Sequence, residues 1–294
     1  MKPSVGAGWG RTLRLSALLF ALSAMLSFVP LVREMQARLT DSFFHVAPQT
    51  IERNRPLLVL IDDDSLRSYG RWPWSRTVLA QLTRNLKDAG AKVVGLDILL
   101  SEPQSPTADA NLREALGKNT VLVDKIGIYP DGPRWTEPLP QFAQAAGAVG
   151  HALAVLDTDS VCRHFPPREV TTDGPRWALG LELARQVDPQ RAAAFLSAYG
   201  LSFEESGPVA IAKPLLVPIY FRRDGFETLS AAAVLRGQAG TRVQGRPVLV
   251  GFGPAEISDR VITPISGELP TPGVEVHAHI LDAILGGRTL RDVS

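Results

Sequence analysis

Three consecutive carboxylates, Asp62, Asp63 and Asp64, close one apolar run, and Asp97 closes a second, with Glu102 shortly after it. Crowded carboxylates repel, so such a grouping persists only if one is protonated, a cation binds, or basic side chains intervene. Asp62 and Asp64 point to one side of an extended strand end and Asp63 to the other. An all-oxygen set of Asp62, Asp64 and Asp97 would take calcium or magnesium rather than zinc. Arg71 and Arg76 lie between the two acidic runs and could instead complete a structural ion-pair network. Trp72 and Trp74 flank Pro73 in the same loop, where their rings either wall a small organic ligand or pack as a lid over the strands. The candidate ligand-binding residues are therefore Asp62, Asp64, Arg71, Trp72, Trp74, Arg76, Asp97 and Glu102.

Further on, Asp157 and Asp159 begin like a calcium loop. The sixth position is Cys162 rather than glycine and the twelfth is Arg168 rather than glutamate, so the run reads as an aspartate-stabilised turn with Arg163 as its ionic partner. Gly251-Phe252-Gly253 follows an apolar run, but Pro254 interrupts and Glu256 replaces the third glycine of a dinucleotide fingerprint. His277 and His279 fall on nearly opposite sides of a helix and cannot readily share a metal there. His151, at a strand start, reads as a hydrogen-bonded structural histidine.

These residues need elements to hold them. Residues 57–61 are continuously apolar, as in a strand buried on both faces. Ser75 can cap a helix with Leu79, Leu82 and Leu86 on one stripe, ended by Gly90, and residues 92–99 form the next strand. Strand, amphipathic helix and strand in close succession predict parallel neighbours, with Asp62 to Asp64 and Asp97 at one edge, where open α/β sheets bind ligands. Helices are expected at 111–116, 141–146, 177–186 and 274–285, and strands at 120–126, 148–156, 215–221 and 247–251. Asp188 and Pro189 should cap and open a further helix, while Pro166 and Pro167 point to a bent, exposed hairpin over 164–170. The fold class is α/β: a mixed, largely parallel sheet flanked by helices, in one domain.

The N-terminus sets the compartment. Residues 15–32 are 18 uncharged, largely apolar residues preceded by Lys2, Arg11 and Arg14. As a helix they cover roughly 27 Å, enough for a bilayer core. The positive-inside rule keeps residues 1–14 in the cytoplasm and sends the rest outside, through a juxtamembrane segment at 33–55, to a domain over 56–287 and a tail at 288–294. A cleaved signal peptide is the competing reading, but the apolar run continues to Val32. The net charge of +1 over 294 residues indicates no nucleic-acid partner, and the single Cys162 excludes an intrachain disulfide framework, a cysteine zinc cluster and a Cys-x-x-Cys redox site.

Together the segments IDDDSL, GRWPWSR and AGAKVVGLDILLSEP resemble the second class of CHASE domains, extracellular sensor modules of bacterial cyclases and histidine kinases. The resemblance continues through Gly150-His151, DTDSV with Arg163, FETLSAAAVLRG, RPVLVGFG, SDRVITP and LPTPGVEVHAHILDAIL. It spans roughly residues 37–287 in colinear order, with departures at Ser75, Leu79, Ser160 and His279. The resemblance implies a periplasmic, extracytoplasmic sensor domain on an inner-membrane receptor, partnered by the membrane, a second copy of the chain, a small-molecule or ion ligand and a cytoplasmic output module, a cyclase, kinase or diguanylate cyclase. Such an output would lie in a longer receptor, as in two-component and adenylate cyclase systems, or in a separate partner. This stretch has no catalytic output motif. The alternative is an extracytoplasmic metal-dependent hydrolase using the Asp cluster, and a third reading is a scaffold that only dimerises.

Overall fold

A five-residue run of Leu, Val and Ile has no polar face to offer water, so it must lie inside a sheet covered on both sides. The computed structural model of the protein describes residues 55–130, 132–204, 215–253 and 260–290, with short stretches between 13 and 44. The chain divides into two compact units, Met1–Ala47 and Pro48–Ser294. In the first, residues 15–20 are helical and exposed, while residues 21–34, most of the expected membrane span, lie outside the described residues. Among the described residues no helix is long and apolar enough to cross a membrane.

The second unit carries the sheet. In chain order its strands are β1 (Leu57–Ile61), β2 (Val93–Leu99), β3 (Thr120–Tyr129), β4 (Gly132–Thr136), β5 (Ala148–His151), β6 (His164–Phe165), β7 (Arg168–Thr171), β8 (Gly174–Trp177), β9 (Val217–Pro218), β10 (Glu227–Ser230) and β11 (Pro247–Phe252), followed by β12 (Arg260–Val261) and β13 (Thr271–Pro272). The main sheet runs β10-β1-β11-β2-β3-β4, with β5 also paired to β3. Every pairing is parallel except β3 with β4. As the apolar run requires, β1 is interior, and Leu57, Leu58, Val59 and Ile61 are fully buried, each worth at most about 1.5–3 kcal/mol.

Helices cover both faces. α1 (Asp63–Tyr69) and α2 (Arg76–Asp88) follow β1, and α3 (Pro106–Ala115) and α4 (Pro140–Ala145) precede β3 and β5. Leu79, Leu82 and Leu86 of α2, with Leu112 and Phe142, join Val59, Leu96 and Leu122 of the sheet in one core. Ser75 caps α2 as expected, accepting from the Thr77 amide at 3.2 Å. α5 (Leu179–Val187), α6 (Pro189–Ala198), α7 (Ala231–Leu235) and α8 (Gly273–Leu285) complete the set, and Asp188 caps α6. α5 and α8 lie on the face opposite α2. There Gly95 meets Leu183, and Gly251 meets Val274 so closely that an added Cβ would lie 2.6–3.0 Å from its side chain. Gly251 thus serves helix–strand packing.

Several expectations need correction. β11 inserts between β1 and β2, so these are not neighbours. The strand expected over 148–156 stops at His151, and the one over 215–221 shrinks to Val217–Pro218. Segment 164–170 is no hairpin: prolines 166 and 167 lack the amide a ladder needs, so β6 pairs with β9 and β7 with β8. The helix expected at 111–116 begins earlier, at Pro106, where Ser105 caps it. Edge strand β10, too short and polar to stand out by periodicity, was not foreseen.

Candidate functional site

The acidic residues after β1 are consumed by local structure. Asp62 caps α1: its carboxylate accepts from the Ser65 amide at 2.9 Å, the Ser65 hydroxyl at 2.6 Å and the Ser230 hydroxyl at 2.8 Å. Burial raises the Asp62 pKa, but these hydrogen bonds outweigh it and leave the group below the usual carboxylate value. Asp64 forms an exposed ion pair with Arg236 at 2.9 Å. Arg76 is buried, its amide donating to Gln104 and its guanidinium to the Glu102 carbonyl at 3.1 Å, while Arg71 and the Glu102 side chain face solvent. Trp74 is buried and donates to the Gly70 carbonyl at 2.9 Å; Trp72 packs edge-on against Phe252 with ring centroids 4.6 Å apart. These two rings follow the packing-lid reading.

Asp97 belongs elsewhere. Two strand spacings, roughly 9–10 Å, separate β1 from β2, so Asp62 and Asp64 do not face Asp97 across adjacent strands. Among the described residues no group of three or more His, Cys, Asp or Glu side chains is placed to hold a metal ion, which removes the expected calcium or magnesium set of Asp62, Asp64 and Asp97. Asp97 instead lines a cleft of about 280 Å³ with Lys125 and Ile126 of β3, Trp135 of β4, His151 of β5, Ala152 to Ala154 beyond it, Val261 of β12, and Gly273, Val276 and His277 of α8. The cleft lies toward the carboxyl ends of β2, β3 and β5, the edge where parallel sheets receive ligands, displaced toward β3 from the position expected.

Local structure explains the convergence. The β2–β3 register slips between Leu96 and Leu99, so Asp97 sits in a bulge, a device that re-aims side chains. His151 ends β5 in register with Asp124. Its ring stacks on Trp135 at 6.0 Å and an interplanar angle of 9°. Trp135 is pinned by the β7–β8 turn, its amide donating to Asp173 at 2.9 Å and its indole to the Gly174 carbonyl at 2.8 Å. The α8 backbone at His277 packs closely on α5: a Cβ on Gly180 would lie 3.0 Å from the His277 carbonyl and 2.8 Å from Ile280. His279, two residues on, contacts Phe221, Phe226 and the Arg222 amide, as the helical spacing required.

The electrostatics are mixed. Burial, and then the nearby His277, push the His151 pKa down to about 3, against the Pro166 carbonyl. Burial also lowers the His277 pKa; Asp97 opposes that shift and Lys125 adds to it. Both imidazoles are therefore neutral near pH 7, between a carboxylate and an ammonium. The Leu153 amide donates to His151 Nδ1 at 3.2 Å, which leaves the proton on Nε2. His151 Nε2–H faces the Pro166 carbonyl, while His277 Nδ1 is shielded from water without a hydrogen-bond partner. Asp124 beneath them is buried, bound by Arg176 at 3.0 Å, and burial pushes its pKa up to about 6.

The second acidic turn braces this site. Arg163 donates to Asp157 at 2.8 Å and to both oxygens of Asp159, as expected, and Ser160 between them has φ of 65°. The Cys162 amide then donates to the Ile262 carbonyl at 2.7 Å, tying the turn to the strand that supplies Val261. Cys162 is a buried thiol whose pKa burial raises to about 11. Reading the sequence alone assigned His151 and His277 structural duties and overlooked Lys125 and Trp135. Gly150-His151 and the GVEVHAHI run were visible as motifs, but their meeting point was not.

The largely parallel α/β sheet thus carries a small charged and aromatic cleft beyond the ends of its strands, the edge at which sheets of this kind bind ligands. The family model described as the CHASE2 domain matches residues 16–293, so the chain belongs to the CHASE2 family of sensory domains. No curated protein and no solved structure matches it significantly.

Proposed function

We propose that this chain is the extracytoplasmic sensory input domain of a bacterial membrane-bound receptor, and that the signal enters at the cleft lined by Asp97, Lys125, Trp135, His151 and His277. One observation carries the site assignment: Asp97, His151 and His277, from three separate sequence motifs, converge on one cavity. Residues 15–32 anchor the domain in the inner membrane, in keeping with the exposed apolar side chains of Leu15, Leu18, Leu19 and Phe20. A ligand shifts the domain only by its differential affinity for two states, and α8 is the element that joins the cleft to the end of the domain. The output module and the pairing of two copies belong to the same proposal. A reporter enzyme fused after Ser294 tests the topology: activity only outside the cytoplasm is expected, and cytoplasmic activity would overturn the orientation.

A further inference from the structure

We propose that Asp124 gives the β7–β8 hairpin a proton-dependent seat in the cleft wall: a proton on its carboxyl keeps the hairpin down, and loss of that proton loosens it. The consequence for sensing rests on the cleft being the input site. Asp124 lies where β3 leaves β5 and begins to pair with β4, and its side chain is fully buried. Arg176 of β8 reaches over to it, donating through Nε at 3.0 Å, and donates onward to Glu137. The other carboxyl oxygen, Oδ1, is shielded from water without a partner. As an anion Asp124 is thus paired on one side only, by a guanidinium that is itself partly exposed, and burying a half-paired carboxylate is costly. A proton removes that cost while the hairpin stays down; water removes it when the hairpin lifts.

The other groups around Asp124 give its charge little help. His151 faces it from β5 and is neutral throughout the range in which a carboxyl of this kind titrates, with His277 of α8 behind it. Glu137 adds negative charge just past β4, Lys125 follows on β3, and Glu182 of α5, whose pKa burial also raises, faces Arg185 and Arg176. Covered, Asp124 titrates at about 6; hydrated, it returns towards 3.8. The seated hairpin therefore binds the proton more tightly than the lifted one, so acid holds it shut and that hold is lost as pH rises through about 6. The cleft feels this because the hairpin turn carries Trp135. Asp173 and Gly174 accept from its amide and indole, and the Thr172 amide donates to the Pro133 carbonyl at 3.2 Å. Trp135 in turn stacks on His151 and lines the cavity. Loosening the hairpin at neutral pH thus frees one wall of the cleft, and acid fixes it.

The experiment is hydrogen exchange of the full chain in detergent, read by mass spectrometry between about pH 4.5 and 7.5 and corrected for the intrinsic pH dependence of amide exchange. Segments 168–177 and 132–136 are expected to open at least about tenfold more readily at the upper pH, under a ceiling of about a hundredfold set by the two titration points, while α2 stays constant. Asp124→Asn, uncharged at every pH, should keep the hairpin protected throughout. Arg176→Met removes the pairing cation and should move the transition above pH 6, which tests the device even if the first variant loses its fold. Protection independent of pH, a pH dependence that survives Asp124→Asn, or an unmoved transition in Arg176→Met would each overturn the proposal. So would a change shared equally by α2, which would make Asp124 act on global stability alone. No ligand enters the measurement, so its failure strikes the hairpin and not the assignment of the cleft as the input site.

Discussion

Replacing Asp62 with alanine separates the two uses a carboxylate could have at the end of β1. The substitution removes the cap of α1, which costs about 1 kcal/mol. It also leaves the hydroxyls of Ser65, which is fully buried, and Ser230 without the acceptor at 2.6 and 2.8 Å. The two hydroxyls lie 3.1 Å apart, so they can re-pair, and only one donor is left unsatisfied, at about 1–2 kcal/mol. The expected loss is therefore about 2–3 kcal/mol, or roughly 5–10 °C in the unfolding midpoint for a domain of this size. The pH dependence has a definite sign. The folded pKa lies below the ordinary value of 3.8, so the stabilisation is complete above that pH and fades as pH falls through the folded value. The gap between the two proteins should then narrow below about pH 4. Urea unfolding at pH 7 and at pH 3 measures both effects. A variant that unfolds like the wild type at both pH values would refute the capping argument.

Two further outcomes follow from buried charge. The folded pKa of Asp124 is raised to about 6, so the native state holds a proton that the unfolded chain releases, and stability should fall as pH rises from about 4 through 6, by about 3 kcal/mol. Asp124→Asn should flatten that slope in urea unfolding series; an unchanged slope would assign it to another group. Asp282 of α8 lies 3.8 Å from Arg222, 3.9 Å from Arg55 and in contact with Arg288, and Asp224 is the other carboxylate beside Arg222 and Arg55. Asp282→Ala should cost about 3–5 kcal/mol, because it strands buried positive charge at the point where the chain enters β1 and leaves α8. A loss under 1 kcal/mol in the same assay would mean that Asp224 alone neutralises the cluster.

The ion cluster joins both ends of the domain. Arg55 lies two residues before β1 and also binds the Gly225 carbonyl, while Arg288 lies three residues after α8. The two ends of the domain are thus fastened to one buried carboxylate. His277 lies on the same helix as Asp282, less than two turns away.

Local chemistry made much of the fold legible. The uninterrupted LLVLI run could only be an interior strand, Ser75 and Asp188 could only be helix starts in their settings, and Arg163 with Asp157 and Asp159 formed the turn their spacing implied. These features depend on neighbours within a few residues, and backbone geometry decides them. The helical spacing likewise sent His277 and His279 to different surroundings.

What the tertiary structure alone decided is which strands are neighbours, and with that where the site lies. The crossover from β1 to β2 leaves a gap that β11 fills from more than 140 residues later, and no local signal in either strand announces it. With β11 in place the carboxylates after β1 are spent on a helix cap and a surface ion pair, while Asp97 turns through its bulge toward β3 and α8. Sequence by itself determined the class of fold and the sensor family, because periodicity, capping and motif order are local properties. The meeting of Asp97, Lys125, His151 and His277 was decided by strand order and by the close seat of α8 on Gly180 and Gly251, which are long-range packing solutions that no stretch of the chain contains alone.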